Sequence, residues 1–333
     1  MHGIMVKDGK AQMAFVGETP WHSLGNALGE GESIERWQEE SGLNYKVLRS
    51  KVRFATEQEP SQFMEWPERH VLFRSDTKAP LGMVSDAYNV VQPKQVLEFF
   101  RDLTEQNGFK LNTAGVLFGG QRYWALASTG HMAEAGKGDA LKGYLLLATS
   151  CDGTLATQAK FTSVRVVCNN TLSLATRSKG AGDVVVRHSS VFKDTKIKAD
   201  LGLMQDSWGI FEQNIKKLAK RKVLMEEAAE MVAWTIGDPE KFNADRAASS
   251  GMQAIKSQPN AKGMQRILDL FSGKGKGAEL ASSKNTAWGL VNAATEYFDH
   301  DYGRDDSNRL TSAWFGPNQK LKQAIYEEAL LRA

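Results

Sequence analysis

The thiol of Cys168 is the side chain whose type and setting could support covalent chemistry. It follows the strand-like residues 164–167, three of which are valines, and precedes Asn169 and Asn170. A thiol at a helix N-terminus has a lowered pKa and can act as a nucleophile, but it needs a base nearby. The six histidines are scattered at positions 2, 22, 70, 131, 188 and 300, and no spacing pairs one of them with Cys168. We therefore predict a buried structural cysteine, with a polar cluster of Cys168, His188 and Asn170 as the alternative.

Two further segments contain residue types that occur in metal and nucleotide sites. Asp299, His300 and Asp301 are consecutive, which is typical of a polar turn after a helix. Residues 272–277 place Lys274 and Lys276 among glycines, but they lack the glycine spacing and the Ser or Thr after Lys that hold magnesium in a phosphate loop. Two cysteines cannot complete a four-ligand zinc site. The sequence predicts no metal, no cofactor and no catalytic residue.

The positive charge of the chain is concentrated in one segment. The whole chain has 42 basic and 39 acidic residues, for a net charge of +3. Residues 156–199 alone contain eight basic and two acidic residues, a local excess of +6. A basic segment on a nearly neutral protein indicates an anionic partner that is bound on one face. An ordinary solvated charged surface is the alternative.

Basic and aromatic residues on predicted strands favour a nucleic acid as that partner. Cations follow phosphates and aromatic rings stack on bases in proteins that bind single strands. In the predicted strand 154–167, side chains alternate between faces, so Lys160 and Arg165 meet one ligand only if the strand twists or bulges. The predicted nucleic-acid-binding residues are Lys160, Arg165, Arg177, Lys179, Arg187, Arg122 and Tyr123. The alternative is an ordinary meander with one polar face.

The elements that must position these residues predict an α+β fold. Strands are predicted at residues 69–75, 81–92, 109–118, 121–128, 142–150, 154–167 and 184–188, with turns at Gly119-Gly120 and Asp152-Gly153. A helix is predicted to begin at Pro93 and end at Asn107-Gly108, and another is predicted over 168–177. Helical periodicity then dominates residues 201–234, 263–271, 281–298 and 318–331. The prediction is an antiparallel β-meander core with a helix before and after it, plus a helical C-terminal region.

Three segments are predicted along the chain: an irregular N-terminal arm over 1–60, the α+β core over 61–200 and the helical region over 201–333. The arm contains Trp21, Leu24, Trp37 and Leu43 but no long apolar run from which to build a core. A neighbouring protomer could bury these side chains, which predicts head-to-tail contacts that close into a ring or continue as a filament. The alternative is that the arm wraps its own subunit.

The cellular setting is predicted from what the sequence lacks. No run approaches the roughly 18 consecutive apolar residues of a membrane span, and residues 1–12 have no apolar segment of the secretory type. Two cysteines cannot form a disulfide scaffold. We therefore expect a cytoplasmic protein that has no membrane partner.

A set of short stretches along the chain matches one family. They are Trp21-His22-Ser23-Leu24-Gly25, Arg74-Ser75-Asp76, Leu81-Gly82-Met83-Val84-Ser85, Tyr88, Gln92, Asp152-Gly153, residues 164–172, Arg187-His188, Trp288-Gly289, Asn292-Ala293, Glu296-Tyr297, Asp299-His300, Phe315-Gly316, Lys322 and Ala324. In these residues the chain resembles a phage and plasmid family known as domain of unknown function 932. The family name carries no activity. The resemblance implies a mobile-element origin and a bacterial host cytoplasm.

The predicted element order, strand–helix–meander–helix, is similar to the core of the Rad-fifty-two, RecT and Red-beta single-strand annealing proteins. This resemblance implies rings or filaments that hold single-stranded DNA in a basic groove near Lys160, Arg165, Arg177 and Lys179. The leading hypothesis is a non-enzymatic homo-oligomer that anneals single-stranded DNA in phage or plasmid recombination, with a phage or plasmid nuclease as a possible partner. The alternatives are an enzyme or accessory factor of a mobile element that acts through the Cys168/His188 region, and a virion or scaffold component.

Overall fold

The computed structural model describes residues 3–7, 9–17, 23–167, 171–173, 183–202, 207–248, 250–303 and 306–333. The chain forms two compact units. Unit 1 contains Met1–Gly130, Tyr144–Lys160 and Asp183–Leu203, and unit 2 contains His131–Gly143, Phe161–Gly182 and Met204–Ala333. These bounds divide the chain differently from the segments 1–60, 61–200 and 201–333 that the sequence suggests.

The strands of the described residues form three sheets. They are β1 (Val6–Lys7), β2 (Lys10–Ala11), β3 (Met13–Val16), β4 (Asn26–Leu28), β5 (Val47–Phe54), β6 (Met64–Arg74), β7 (Pro80–Ser85), β8 (Lys110–Leu117), β9 (Arg122–Glu134), β10 (Ala140–Ser150), β11 (Thr157–Arg165), β12 (Thr171–Ser173) and β13 (Asp183–Val186). The largest sheet has the order β12-β11-β10-β9-β8-β3-β4, with β13 also paired to β11. A three-stranded sheet has the order β5-β6-β7, and β1 pairs with β2. Strands β8, β9, β10 and β11 are neighbours in the same order in the sheet as in the chain, which confirms the predicted meander.

The helices lie mostly in the second half of the chain. They are α1 (Ile34–Glu40), α2 (Pro93–Asn107), α3 (Asp194–Gly202), α4 (Ser207–Lys220), α5 (Met225–Ile236), α6 (Pro239–Ala248), α7 (Gly251–Lys256), α8 (Ala261–Asp269), α9 (Ala287–Glu296), α10 (Asp306–Phe315) and α11 (Pro317–Leu331). Two π-helical turns, Leu270–Lys274 and Tyr297–Asp301, extend α8 and α9. The α+β class and the helical C-terminal region are therefore confirmed. Among the described helices, none combines the length and apolar character that a membrane crossing requires.

Helix α2 shows how local sequence rules build unit 1. Pro93 occupies the first turn, where its missing N–H is not needed. Val96, Phe99 and Phe100 recur at helical spacing and are buried. Gly108 ends the helix in the left-handed region at φ 70°, which glycine adopts without a steric penalty. The sequence-based prediction of this helix is confirmed at both ends.

The N-terminal segment is not an irregular arm within the described residues. Strand β3 pairs antiparallel with β8 and parallel with β4, which makes the segment part of the largest sheet. Trp37 and Leu43 are 2% and 0% exposed within their own chain. The prediction that a neighbouring protomer buries these two side chains was therefore wrong, because the chain buries them itself. Trp21 lies outside the described residues.

Residues 171–173 form a strand where the sequence suggested a helix over 168–177. Strand β12 pairs antiparallel with β11, with Thr162 opposite Ser173 and Val164 opposite Thr171. The hydroxyls of Thr162 and Ser163 both donate to the carbonyl oxygen of Leu172, at 3.2 Å each. The pairing with β11 outweighs the local helical signal of the Asn residues, and the rest of the predicted helix lies outside the described residues.

The core of unit 2 is centred on α9, all of whose residues are buried. Thr286 caps its N-terminus by accepting a hydrogen bond from the N–H of Gly289. A Cβ added to Gly289 would lie 1.9 Å from the carbonyl oxygen of Ser283, so only glycine fits at this position. Trp288, Leu290 and the neighbouring side chains join one continuous apolar cluster with α4, α5, α8 and α11.

Candidate nucleic-acid interface

Arg165, a predicted phosphate contact, is instead the centre of a buried ion pair in unit 2. Its guanidinium contacts both carboxylate oxygens of Asp139, with Nε–Oδ1 at 2.5 Å and Nη2–Oδ2 at 2.9 Å. Arg165 is 1% exposed and Asp139 is fully buried. The same guanidinium donates to Ser283 Oγ at 2.7 Å and to the carbonyl oxygen of Gly277 at 3.3 Å. The predicted contact between Arg165 and a phosphate on the surface is inconsistent with this position.

The partner carboxylate of Arg165 is saturated with donors as well. Asp139 Oδ2 accepts hydrogen bonds from Ser282 Oγ at 2.6 Å and from the indole N–H of Trp288 at 3.0 Å. A buried ion pair is tolerated when such additional hydrogen bonds satisfy both charges. Arg165 and Trp288-Gly289, which the family resemblance singled out, are thus explained by packing.

Lys160 and Tyr123 are buried in unit 1, which corrects their prediction as surface contacts. Lys160 is 2% exposed, so its ammonium group is not displayed to a strand in solvent. Tyr123 is 1% exposed, and its hydroxyl donates to the carbonyl oxygen of Val91 and lies 3.3 Å from Cys151 Sγ. Burial raises the pKa of the Tyr123 hydroxyl well above its ordinary value. Strand β11 is buried or half-buried on both of its faces, so the alternation of its side chains could not show that Lys160 is enclosed.

Arg122 and Arg187 are the two predicted contacts that reach the surface of unit 1. Arg122 is half-buried; its Nη2 donates to Thr154 Oγ1 at 2.8 Å, and its guanidinium lies 5.5 Å from the ring centroid of Phe118. Arg187 is exposed directly after β13. Their role in binding stays a prediction.

The remaining sequence-based candidates cannot be placed. Arg177, Lys179, Cys168 and Asn170 lie outside the described residues.

The described cysteine is Cys151, whose environment opposes nucleophilic chemistry. It is fully buried, and burial raises the pKa of its thiol to about 12. At that pKa the reactive thiolate is negligible near pH 7. Within the described part of the chain, no group of three or more His, Cys, Asp or Glu side chains is arranged to hold a metal ion.

A basic face of the β5-β6-β7 sheet, which the sequence analysis did not single out, carries three cations in a row. Arg49, Lys51 and Arg53 alternate along β5 and therefore point to the same side of the sheet. Their side chains are 35%, 62% and 63% exposed. We call this side, formed by Arg49, Lys51 and Arg53, the cationic face. The signal in the sequence was a two-residue period of cations over 49–53.

The opposite side of the same sheet is apolar and exposed. Directly opposed residues share a face, and Leu48 faces Phe73, Val52 faces Trp66 and Phe54 faces Met64. Large side chains on this side remain open to solvent: Leu48 at 37%, Phe54 at 47%, Met64 at 37%, Trp66 at 42% and, on β7, Met83 at 52%. We call this side the aromatic face. Phe63, in the connection just before β6, is 66% exposed next to it.

A cation accompanies the aromatic face too. The guanidinium of Arg69 lies 5.5 Å from the centroid of the Trp66 ring, a cation–π arrangement at the surface. Strand β5 is an outer strand of its sheet; the side chain of Gln92 pairs with the backbone of its first residue, Val47, and the cations and rings lie further along the strand. Cations on one side and rings on the other are thus reachable from one edge.

Carboxylates hold the cationic face together when no ligand is bound. Glu65 Oε2 lies 2.7 Å from Lys51 Nζ, and its Oε1 lies 3.1 Å from Arg53 Nη2. The hydrogen bond from Lys51, and then the one from Arg53, lower the pKa of the Glu65 carboxyl. Arg49 pairs with Asp86 at 2.8 Å. These pairs are exposed, so a polyanion can compete for the cations at little cost.

A second buried ion pair fixes the start of β12 in unit 2. Lys322 Nζ lies 2.5 Å from Asp299 Oδ1 and donates to the carbonyl oxygen of Thr171 at 2.9 Å. Asp299 Oδ2 accepts from the N–H of Thr171 at 2.8 Å. The side chains of Lys322 and Asp299 are 3% and 6% exposed. Asp299 thus has a structural role next to His300.

The fold and these surfaces define an α+β protein with buried ion pairs in its second unit and an exposed cationic and aromatic sheet in its first. The model of a family described as a domain of unknown function (DUF932) matches residues 80–314. The chain therefore belongs to this family. No curated protein and no solved structure matches the chain.

Proposed function

We propose that this protein binds single-stranded DNA through the β5–β6 hairpin and promotes the annealing of complementary strands. In this proposal the protein is a homo-oligomer that needs no cofactor and acts in phage or plasmid recombination. It works in the cytoplasm of a bacterial host, and a nuclease of the same mobile element is its candidate partner. One observation carries it: exposed cations and exposed aromatic rings occupy the two sides of the β5–β6 hairpin.

The cationic face fits a regular polyanion. Alternate residues of a strand lie about 6.8 Å apart, so Arg49, Lys51 and Arg53 repeat along a line, as the phosphates of an extended strand do. Arg and Lys supply most side-chain contacts to nucleic-acid phosphates. Because all three cations are at least one-third exposed, phosphates reach them without unfolding the sheet.

The aromatic face favours single strands over duplexes. Bases stack on exposed rings only when they are unpaired, and each stacked base contributes about 1–3 kcal/mol. Trp66, Phe54 and Phe63 provide such rings at the end of the hairpin that also carries Arg53. A strand that is held extended with its bases supported is ready to pair, and annealing is then downhill without ATP.

Paired charge-removal variants test the proposal. Lys51→Gln with Arg53→Gln removes two cations from the hairpin. The control variant, Lys94→Gln with Lys110→Gln, removes two cations elsewhere in unit 1. Their side chains are 55% and 72% exposed, similar to those of Lys51 and Arg53, and each is also paired with a glutamate. Fluorescence anisotropy with a labelled single-stranded oligonucleotide, repeated over a series of salt concentrations, gives the affinity and the slope of log K against log salt.

The two variants should behave differently. The hairpin variant should flatten the slope of log K against log salt by about 1.4, since each phosphate contact contributes about 0.7 for single strands. It should also slow the annealing of complementary oligonucleotides, whereas the control should match the wild type. Equal effects of both variants, or no binding by the wild type, would refute the proposal.

A further inference from the structure

Four exposed lysines lie close together in unit 2, at the point where α4 ends. Lys217 and Lys220 are in the last turn of α4, and their spacing of three residues places them on the same side of the helix. Lys222 follows two residues later, and Lys284 lies in the segment that leads to α9. We call the surface formed by Lys217, Lys220, Lys222 and Lys284 the lysine face.

Backbone pairing holds the two segments of the lysine face side by side. Lys222 forms an antiparallel bridge with Thr286, and its Nζ lies 3.4 Å from the carbonyl oxygen of Lys284. In the same pairing, the N–H of Val223 donates to the carbonyl oxygen of Asn285 at 3.0 Å. Val223 and Thr286 are buried, so the pairing is anchored in the core while the lysines beside it point to solvent.

The carboxylates on the neighbouring helices are engaged with other groups. Glu212, the acidic residue of α4, pairs with Lys216 at 2.5 Å. In the first turn of α5, Glu227 pairs with Arg221, and Glu226 accepts a hydrogen bond from a backbone N–H of α7 at 2.9 Å. Within the part of the chain that the structure describes, no carboxylate forms an ion pair with a side chain of the lysine face.

The end of helix α4 explains only half of this cluster. Cations in the last turn of a helix are stabilised by its dipole, which accounts for Lys217 and Lys220. Lys222 and Lys284 lie outside the helix, so the dipole gives no reason for them. Like charges that lie close together repel one another, and a bound polyanion removes this repulsion.

The lysine face offers contacts to phosphates but not to unpaired bases. The aromatic residues of segments 211–233 and 278–296 are Phe211 and Trp288, and both are buried. Bases stack on exposed rings, so this surface differs from the aromatic face of unit 1. Duplex DNA encloses its bases and carries about one negative charge per 1.7 Å of its axis, which suits a surface of cations without rings.

We propose that the lysine face is a second DNA-binding site, which holds the phosphate backbone of duplex DNA. The inference rests on the proposed function, because annealing on the β5–β6 hairpin produces a duplex. The hairpin then binds strands whose bases are still unpaired, and the lysine face binds the paired product.

A charge-removal variant of the full chain tests this site. Lys217→Gln/Lys220→Gln/Lys284→Gln removes three cations of the lysine face and leaves Lys222, whose ammonium contacts the backbone, in place. The probe is a labelled blunt-ended DNA duplex, titrated by fluorescence anisotropy over a series of salt concentrations. The variant should flatten the slope of log K against log salt by about 2.7, since each phosphate contact on a duplex contributes about 0.9.

A control variant removes the same amount of charge elsewhere in unit 2. Lys241, Lys256 and Lys262 are exposed on α6, α7 and α8. Their joint replacement by Gln should leave the slope for the duplex at the wild-type value. Equal slopes for the two variants, or no duplex binding by the wild type, overturn the inference.

Titrations with a single strand of the same length separate this inference from the proposed function. The lysine-face variant should lose more of its slope with the duplex than with the single strand, and Lys51→Gln/Arg53→Gln should show the reverse. If only the lysine-face variant behaves as expected, the hairpin proposal fails and the duplex site stands. If only the hairpin variant does, the duplex site is refuted and the hairpin proposal stands.

Lysine acetylation of the wild-type chain provides a second measurement, which needs no variant that could fail to fold. Bound duplex should protect Lys217, Lys220 and Lys284 from an acetylating reagent, as measured by mass spectrometry of the digested protein. Lys241 and Lys256 should react equally with and without the duplex. Acetylation of the lysine face that the duplex does not change overturns the inference.

Discussion

Replacing Arg165 by methionine should destabilise the protein while leaving DNA binding by the folded fraction intact. The substitution leaves the carboxylate of Asp139 buried with only Ser282 and Trp288 as the donors shown for it. It also removes the partner of Ser283 Oγ, which lies 2.7 Å from Arg165 Nη2. Removing one member of a buried ion pair costs about 3–5 kcal/mol, because the remaining charge is uncompensated.

Urea denaturation followed by circular dichroism measures this loss. At an unfolding slope of about 3 kcal/mol per M, the midpoint should fall by about 1–1.7 M. Adding Asp139→Asn to Arg165→Met should recover part of the loss, with a coupling energy of about 1–3 kcal/mol. The reasoning fails if Arg165→Met unfolds at the wild-type midpoint, or if the folded variant no longer binds single-stranded DNA.

Three further predictions rest on single positions. Gly289→Ala should lower the free energy of unfolding by more than about 4 kcal/mol, measured by heat or urea, because the new Cβ would overlap a carbonyl oxygen. As a control, the Cβ of Gly209→Ala in α4 meets open space, and this change should stabilise the helix by up to about 1 kcal/mol. Similar unfolding free energies for the two variants would contradict the packing argument. Trp66→Ala should weaken single-strand binding by about 1–3 kcal/mol, or about 5- to 150-fold, in a titration at fixed salt, with little change in unfolding; an unchanged affinity would exclude the ring from the interface. The hydrogen bond from Arg74 lowers the pKa of the Asp76 carboxyl. This pair therefore stabilises the fold above about pH 3.8, and its contribution is lost as the pH falls further. Asp76→Asn should make the acid unfolding transition less steep, and an unchanged transition would show that the pair is not coupled to folding.

The sequence predicted the elements whose signals are local. Pro93 and Gly108 mark the two ends of α2, and the Gly119-Gly120 turn separates β8 from β9. These positions depend on backbone preferences that one or two residues determine. The α+β class followed from them.

The sequence could not predict which cations are buried. Arg165 lies in a basic segment, but its partner Asp139 is 26 residues away and its other contacts come from residues after 270. Only the folded chain brings these groups together, so local charge counting placed Arg165 on the surface. Conversely, Arg49, Lys51 and Arg53 lie in a segment of nearly balanced charge, so charge counting missed them, although their two-residue period is that of one face of a strand.

Photo-crosslinking tests the central claim most directly. A single-stranded oligonucleotide that contains halogenated uracil forms adducts with aromatic side chains that stack on its bases, and mass spectrometry of the digested complex locates them. The account predicts adducts on Trp66, Phe54 or Phe63 of the aromatic face, with a lower yield in Lys51→Gln/Arg53→Gln. Adducts confined to residues 156–199, or none on the β5–β6 hairpin of a protein that binds the oligonucleotide, would contradict it.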